Sequence, residues 1–325
     1  EQYGDEFNVS DRSVRAYVSK RRPEIFKGTD KGGYLPLEHS PGEAQADFGE
    51  AQFIERGILY DGFYLTVSFP YSNGGYTQLF KSENQECLLE GLKSIFEHIG
   101  GSPREIWFDN ASTIVKAIRR DGERDLNKGF ERFMLHYNFL SNLTNPDSGH
   151  EKGSVENKVG YSRRNQLVPI PEFDDIREYN RHLLKKCDKD MQRNHYKKHG
   201  TIAQLCEEDK KALNPLAAVP YEVYRLERVK ADNYGKVRYD NKRYSSTPAF
   251  AGCQIWLKVG AFEVTLLDDK YNPIIKHPRL YGQQNESMQW GPYLELMARR
   301  PRAIKYTGFF KELPLKLQDY LLRKI

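Results

Sequence analysis

The stretch EAQADFGEAQFIERGILYDGFYLTVSFPYSNGGYTQLF, residues 43–80, decides the fold. Apolar residues recur in it with the short period of half-buried strands, and Gly, Asn and Asp punctuate it. Three strands are expected, at 44–53, 57–69 and 75–80, with Asp61-Gly62 and Ser72-Asn73-Gly74 as turns. Downstream the period changes. Leu88, Leu92, Ile95, Phe96 and Ile99 share one face of a helix over 84–99, and Gly100-Gly101 ends it. The next strand, Glu105-Ile106-Trp107-Phe108, runs into Asp109. A helix near 127–137, a strand at 138–143, a loop from Thr144 to Gly149 and a helix over 150–166 follow. Hairpin strands followed by alternating helix and strand predict an α/β domain over 41–170, a mixed sheet with flanking helices.

Outward from this block the pattern differs on each side. Residues 8–20 read as one helix, capped by Ser10, with Val14, Tyr17 and Val18 as its apolar stripe. Arg12, Arg15 and Lys20 would face outward, the look of a partial helix-turn-helix over 1–22; any capped amphipathic helix reads the same way. A basic, glycine-containing linker fills 23–40. On the other side, a charged helical connector over 171–218 (helical at 174–213) leads to short alternating strands from 219 to 285. These strands, at 221–229, 236–239, 242–245, 254–259, 263–267 and 273–277, predict a small β-barrel. A helical tail over 286–325 closes the chain, with Phe309, Phe310, Leu313, Leu317, Tyr320 and Leu321 on an apolar side expected to pack on the chain itself, docking of a partner protein being the alternative.

Charge is unevenly spread. Residues 41–110 hold 4 Lys and Arg against 11 Asp and Glu, whereas 151–200 hold 12 against 8 and 221–260 hold 8 against 4. An acidic block beside basic ones suits a metal-binding core next to surfaces for a polyanion, and ordinary solvated surface is the plain alternative. Cys87, Cys187, Cys206 and Cys253 are scattered without a C-x-x-C pair, so neither a zinc site nor a disulfide framework is expected. No apolar run is long enough to span a membrane, and the polar, acidic first residues argue against a signal peptide. A cytoplasmic location is the expectation.

Three carboxylates stand out. Asp47 sits mid-strand, where a half-buried charge is costly without a partner. Asp109 ends a mostly apolar strand, and Glu156 falls in the helix after the Asn145-Pro146 loop. Together they could hold Mg²⁺, which takes oxygen ligands and keeps waters. Singly, Asp109 also reads as a helix cap and Glu156 as a solvated helix residue.

The stretches Gln45-Ala46-Asp47-Phe48-Gly49, Trp107-Phe108-Asp109-Asn110-Ala111 and Glu151-Lys152-Gly153-Ser154-Val155-Glu156-Asn157-Lys158-Val159 resemble the transposase and retroviral integrase superfamily. Among its members the resemblance is to the IstA-type transposases of bacterial insertion sequences. The spacing fits: 61 residues separate the aspartates and 46 lie before the glutamate. The resemblance implies a ribonuclease H-like catalytic domain, DNA cleavage and joining at transposon ends, and Asp47, Asp109 and Glu156 as catalytic ligands of two Mg²⁺ ions, with Mn²⁺ expected to substitute. Glu151 is the rival third ligand, about 140° around a helix from Glu156. Lys152, Lys158, Arg163 and Arg164 are candidate phosphate contacts, with a solvated face as the alternative. In the barrel, Arg225, Arg228, Lys230, Lys236, Arg238, Lys242 and Arg243 interleave with Tyr224, Tyr234, Tyr239 and Tyr244. Cations with aromatics suit a nucleic-acid backbone, and a barrel that only stiffens the catalytic domain is the alternative. Lys236, Arg238, Lys242 and Arg243 are the chosen DNA contacts there.

The expected partners are double-stranded DNA, a second copy of the chain in a dimer or higher assembly on DNA, and a AAA+ helper ATPase, the last supplied by the resemblance. No G-x-x-x-x-G-K-[ST] loop is present, so ATP hydrolysis by the chain itself is not expected. The location implied is a bacterial cytoplasm, at the nucleoid. His195 and His199, four apart on an expected helix, lack the Glu of a metalloprotease pattern. Two other readings remain on the same scaffold: a catalytically silent DNA-binding regulator, and a ribonuclease H-like nuclease that hydrolyses without joining.

Overall fold

The computed structural model describes residues 11–25, 39–108, 113–118, 124–143 and 153–324. The chain divides into two compact units, Glu1–Glu38 and His39–Ile325. In the first, helix α1 spans Asp11–Ile25. It runs past the expected end at residue 20 and through Pro23, the first residue of the expected linker. Proline removes one backbone donor, and only two helical residues follow it here. The expected stripe of Val14, Tyr17 and Val18 is exposed, as is Lys20. Arg12 and Arg15 lie in α1 with side chains outside the described set, and Ser10 lies outside it altogether.

The second unit begins with β1 (Glu43–Glu55), β2 (Ile58–Phe69) and β3 (Gly74–Phe80), an antiparallel meander. Then come α2 (Gln85–Ile99), β4 (Glu105–Phe108), β5 (Val115–Ile118), β6 (Arg124–Leu126), α3 (Lys128–Tyr137) and β7 (Leu140–Leu143). Helix α4 (Gly153–Gln166), strand β8 (Glu172–Phe173) and helices α5 (Ile176–Asp190) and α6 (Ile202–Ala212) follow. The main sheet has the order β3-β2-β1-β4-β7, with β8 extending β1. Strand β4 lies parallel to β1, and β7 parallel to β4. This is the mixed, ribonuclease H-like sheet with flanking helices that the sequence predicts.

Alternation along the strands sends two apolar sets to opposite faces. Ala44, Ala46, Leu65, Val67 and Ile106 pack with Phe96, Phe130, Phe133 and Phe139 under α2 and α3. Phe53, Tyr64 and Leu79 pack with Leu167, Ile176 and Leu183 beneath the end of α4 and α5. Each buried Val, Leu, Ile or Phe among them contributes about 1.5–3 kcal/mol. Helix α2 is punctuated as expected: Asn84 Oδ1 accepts from Cys87 N at 3.0 Å, and Gly100 closes it at φ 81°. The outer edge of β3 is occupied by α5. Asn180 accepts from Leu79 N at 2.7 Å and donates to Leu79 O at 2.9 Å, which blunts an edge that would otherwise invite another strand.

Three local expectations change. Asp61-Gly62 lies inside β2, and the hairpin turns at Arg56-Gly57, both with positive φ (51° and 74°). That is the backbone a two-residue hairpin loop demands. Gly62 is kept small by packing, since a Cβ there would meet the Phe53 ring at 2.5 Å. Strands β5 and β6 form a hairpin that the sequence does not announce, being too short for a period to show. The helix expected over 174–213 is broken between α5 and α6. There His195 Nδ1 accepts from the amides of Lys197 (3.1 Å) and Lys198 (2.7 Å), and Thr201 with Gln204 forms a capping box for α6. His195 and His199 are therefore in a loop, not on one helical face.

Strands β9 (Arg225–Lys230), β10 (Lys236–Tyr239), β11 (Lys242–Ser245), β12 (Gln254–Val259), β13 (Glu263–Leu267), β14 (Pro273–Pro278) and β15 (Glu286–Ser287) form two sheets, β14-β13-β12-β9 and β10-β11-β15. They enclose one core of Val237, Tyr244, Ile255, Leu257, Val259, Val264 and Leu266. The tail carries α7 (Leu294–Arg299), α8 (Gly308–Glu312) and α9 (Leu315–Lys324). Its expected packing is seen in part: Phe309, Phe310, Leu313 and Leu321 are half-buried, with Phe309 against Trp290, whereas α9 has no fully buried residue and Leu317 and Tyr320 are exposed.

Helix α6 docks on the start of β1 through buried Asp209, which accepts from Gly42 N at 2.9 Å. Burial holds this carboxyl above the ordinary carboxylate range. The folded state thus binds the proton more tightly than the unfolded chain, whose pKa is about 3.9. This group's contribution to stability falls as pH rises from there to the raised value, and is level above it. Asp209→Asn keeps the acceptor and removes that dependence. Urea titrations between pH 4 and 7 should show a smaller fall in stability with rising pH than in the parent; parallel curves would refute the assignment.

Candidate carboxylate site and nucleic-acid surfaces

Asp47 stands directly opposite Thr66, and Thr66 directly opposite Thr77, across β1, β2 and β3. Opposed residues in neighbouring strands point to one face. The Thr66 and Thr77 hydroxyls are 3.3 Å apart, and Thr77 Oγ1 donates to Ser162 Oγ on α4 at 3.0 Å. The row that begins at Asp47 therefore ends under α4, which packs against β1 and β2. Asp47 is half-buried and its carboxylate accepts from Phe48 N at 2.8 Å. It lines a small cleft with Phe48, Glu83, Phe108 and Thr113.

The parallel register pairs Ala46 with Phe108. The residues immediately before Asp47 and Asp109 are thus side by side. Asp109 itself and Lys152 lie outside the described residues. Glu156 and Lys158 lie in α4, whose described side chains begin at Gly160. Among the described residues no group of three potential metal ligands gathers. The oxygen chemistry at Asp47 is of the kind a hard cation takes.

Tyr64 records the electrostatics nearby. Burial raises its hydroxyl pKa most; Arg163 pulls it down, Asp47 pushes it up, and Arg164 pulls it down. Asp47 and the exposed basic end of α4 act on the same hydroxyl. Tyr64 lies over Gly49, two residues beyond Asp47. A Cβ at Gly49 would meet the Tyr64 ring at 2.4 Å, so the glycine permits the close approach.

The cations of the C-terminal sheets are partly engaged. Lys236 pairs with Glu286, Lys242 Nζ reaches Asn285 Oδ1 at 3.0 Å, and Arg238 donates to Asn241 Oδ1 at 2.7 Å. Arg243 and Tyr234 are exposed, and Arg228 lies over the Trp256 ring. Tyr244 is instead fully buried, accepting from Leu280 N at 3.0 Å, because β11 turns it into the core. Arg225 is drawn to Glu86 at 3.2 Å. Arg279 carries no periodic signature, and sequence reasoning misses it. It is buried against Glu86 at 3.2 Å and also donates to Gly260 O, so it ties the C-terminal sheets to the start of α2.

Comparison with known proteins follows the same lines. A family model described as Mu transposase, C-terminal domain, matches residues 216–289. A transposase of Aminobacter aminovorans is 28% identical over 335 residues, covering 99% of this chain and 65% of that protein. The transposase for insertion sequences IS1326/IS1353 of Pseudomonas aeruginosa is 26% identical, covering 93% and 61%.

The chain is thus similar over most of its length to bacterial insertion-sequence transposases. It spans less than two thirds of the length of these two proteins. A transposase for an IS21-like element of Bacteroides fragilis is 26% identical, covering 84% of the chain and 53% of that protein. Among solved structures, the simian T-cell lymphotropic virus intasome in complex with PP2A regulatory subunit B56 gamma aligns at 14% identity and TM-score 0.37, covering 79% of this chain and 83% of that one. The HTLV-2 integrase catalytic core domain in complex with magnesium aligns at 14% identity and TM-score 0.33, covering 51% and 97%. Strand order, not these scores, defines the fold.

The Gly49 contact is directly testable. Gly49→Ala should destabilise the protein by about 1–3 kcal/mol through overpacking, and Tyr64→Leu in that background should recover part of the loss in urea unfolding. A Gly49→Ala protein as stable as the parent would contradict the contact.

Proposed function

We propose that this chain is the catalytic part of a DDE-type DNA transposase, a metal-dependent polynucleotidyl transferase that cuts transposon ends and joins the freed 3′-hydroxyls to target DNA. The observation that carries the reading is the register of Ala46 beside Phe108, with α4 lying over the row that starts at Asp47. In this reading Asp47, Asp109 and Glu156 converge where β1, β4 and α4 meet. Position 156 is seven residues before Arg163, nearly the same angular position on an α-helix two turns away.

Asp47, Asp109 and Glu156 would hold two Mg²⁺ ions, with Mn²⁺ able to replace them. When bound, such ions activate an attacking oxygen and stabilise the leaving oxygen of an in-line displacement. The chain's own part is positioning. Asp47 is fixed by the sheet and by the Phe48 amide. Arg163 and Arg164, with Lys152 and Lys158, would hold the phosphate backbone beside the carboxylates. Arg12, Arg15 and Lys20 on α1, and Lys236, Arg238, Lys242 and Arg243 on the C-terminal sheets, would bind DNA as well. On this reading the segments 1–22, 23–40, 41–170, 171–218, 219–285 and 286–325 serve as end-binding element, linker, catalytic domain, connector, basic barrel and tail. A dimer or larger assembly on double-stranded DNA, and a AAA+ helper ATPase, complete the proposal, set in the bacterial cytoplasm at the nucleoid.

Asp47→Asn tests it. With a duplex carrying the element's own terminus and Mg²⁺, the parent should both cut and join pre-cleaved ends. Removing one ligand costs several kcal/mol of transition-state stabilisation, so both rates should fall at least about a hundredfold, with DNA binding retained. An Asp47→Asn protein that cuts at the parental rate would sink the proposal; a parent that cuts but never joins would leave a hydrolytic nuclease.

A further inference from the structure

Helix α5 buries Ile176, Asn180, Leu183, Leu184 and Cys187. Its outward side carries Arg181, His182, Lys185, Lys186 and Lys189, all exposed, with Glu178 as the acidic residue of its first turn. The other acids of the helix are engaged. Asp188 accepts from Tyr76 at 3.1 Å and pairs with His98 at 2.8 Å. Asp190 accepts from Tyr161 at 2.6 Å and pairs with Arg193 at 3.4 Å. The Arg181, Lys185 and Lys189 side chains, by contrast, make no hydrogen bond or ion pair among the described residues. Spaced four apart, they stand about 6 Å from one another along the helix.

This row joins the basic end of α4. Lys186 Nζ donates to Gln166 O at 2.8 Å, and Arg193 lies over the Tyr161 ring at 4.7 Å. Arg163 and Arg164 are therefore on the neighbouring helix, tied to α5 by these contacts. The loop after α5 adds exposed Tyr196, Lys197 and Lys198, with the Lys197 ammonium over the Tyr196 ring. The His195 pKa is depressed by burial first and then by Lys198, Arg193 and Lys197, as expected in a positive field.

We infer that the outward side of α5 and the loop after it form a further DNA-binding surface, holding a duplex by its phosphates without reading bases. An evenly spaced row of cations, none in an ion pair among the described residues, matches a regular polyanion, and its position beside α4 puts that duplex next to the Asp47 face. The inference rests on the DNA-handling reading above. It adds a surface distinct from α1 and from the C-terminal sheets.

The test is the salt dependence of binding by the full chain to a 30-base-pair duplex of arbitrary sequence, about 100 Å of B-DNA at 3.4 Å per base pair, in EDTA. Neutralising one cation that sits on a phosphate reduces the slope of log K against log salt by about 0.9. The triple variant R181Q/K185Q/K189Q should lower the magnitude of the slope by about 2–3, with an unchanged thermal midpoint. A control triple on the tail, K305Q/K311Q/K316Q, should keep the parental slope. An unchanged slope in the α5 variant, or an equal change in the control, overturns the inference. Binding is read here without divalent metal. A chain that binds through α5 but never cuts DNA would thus sink the transposase reading and leave this surface standing.

Discussion

A charge held mid-strand under a helix is the constraint on which the second unit turns. Asp47 occupies a position that favours apolar residues, and burying a carboxylate there without compensation would be expensive. The sheet answers with polar neighbours. Thr66 and Thr77 continue its row and connect through Thr77 to Ser162, while the Phe48 amide donates to the carboxylate. Gly49 lets Tyr64 close over the strand just beyond it. One face of the meander is thereby polar at Asp47 and apolar at Phe53, Tyr64 and Leu79; α4 packs against β1 and β2, and α5 contributes Ile176 and Leu183 to the apolar part.

A second constraint concerns how the C-terminal sheets are held. Glu86 opens α2 and is nearly buried, with Arg279 on one side and Arg225 on the other. Such pairs stabilise little when desolvation is counted, but removing one partner leaves a buried charge and is strongly destabilising. Phe80 stacks on Phe262, and Tyr281 donates to Ala261 O at 2.7 Å beside Cys87. Burial pushes the Cys87 thiol up to about 12, so it stays a neutral, packed group. These contacts fix the basic sheets relative to the start of α2, close to the cleft that Asp47 and Glu83 share.

Much of the main sheet was legible because its signals are local and repeated. Alternation marked β1, β2 and β3, an apolar stripe with Asn84 and Gly100 at its ends marked α2, and Asp47 was conspicuous as a charge within a strand. What escaped depended on distance or brevity. The turn went to Asp61-Gly62 because that dipeptide suits hairpins, while the real need for Gly62 is its contact with Phe53. Tyr244 looked like its exposed neighbours until β11 set which way it points. Arg279 and Asp209 find their partners 193 and 167 residues away, which no spacing rule reveals. The helix break at His195 is made by side-chain to backbone bonds within a polar run, where periodicity is silent.

The central claim is that Asp47 belongs to a three-carboxylate cation site with Asp109 and Glu156. The most direct measurement is anomalous diffraction from crystals of the protein on DNA, soaked in Mn²⁺. A manganese peak bound by carboxylate oxygens of Asp47, Asp109 and Glu156 is expected, with a second ion about 3.5–4 Å away. Those oxygens standing more than about 10 Å apart in the DNA complex, well beyond the reach of a two-ion clamp, would contradict it.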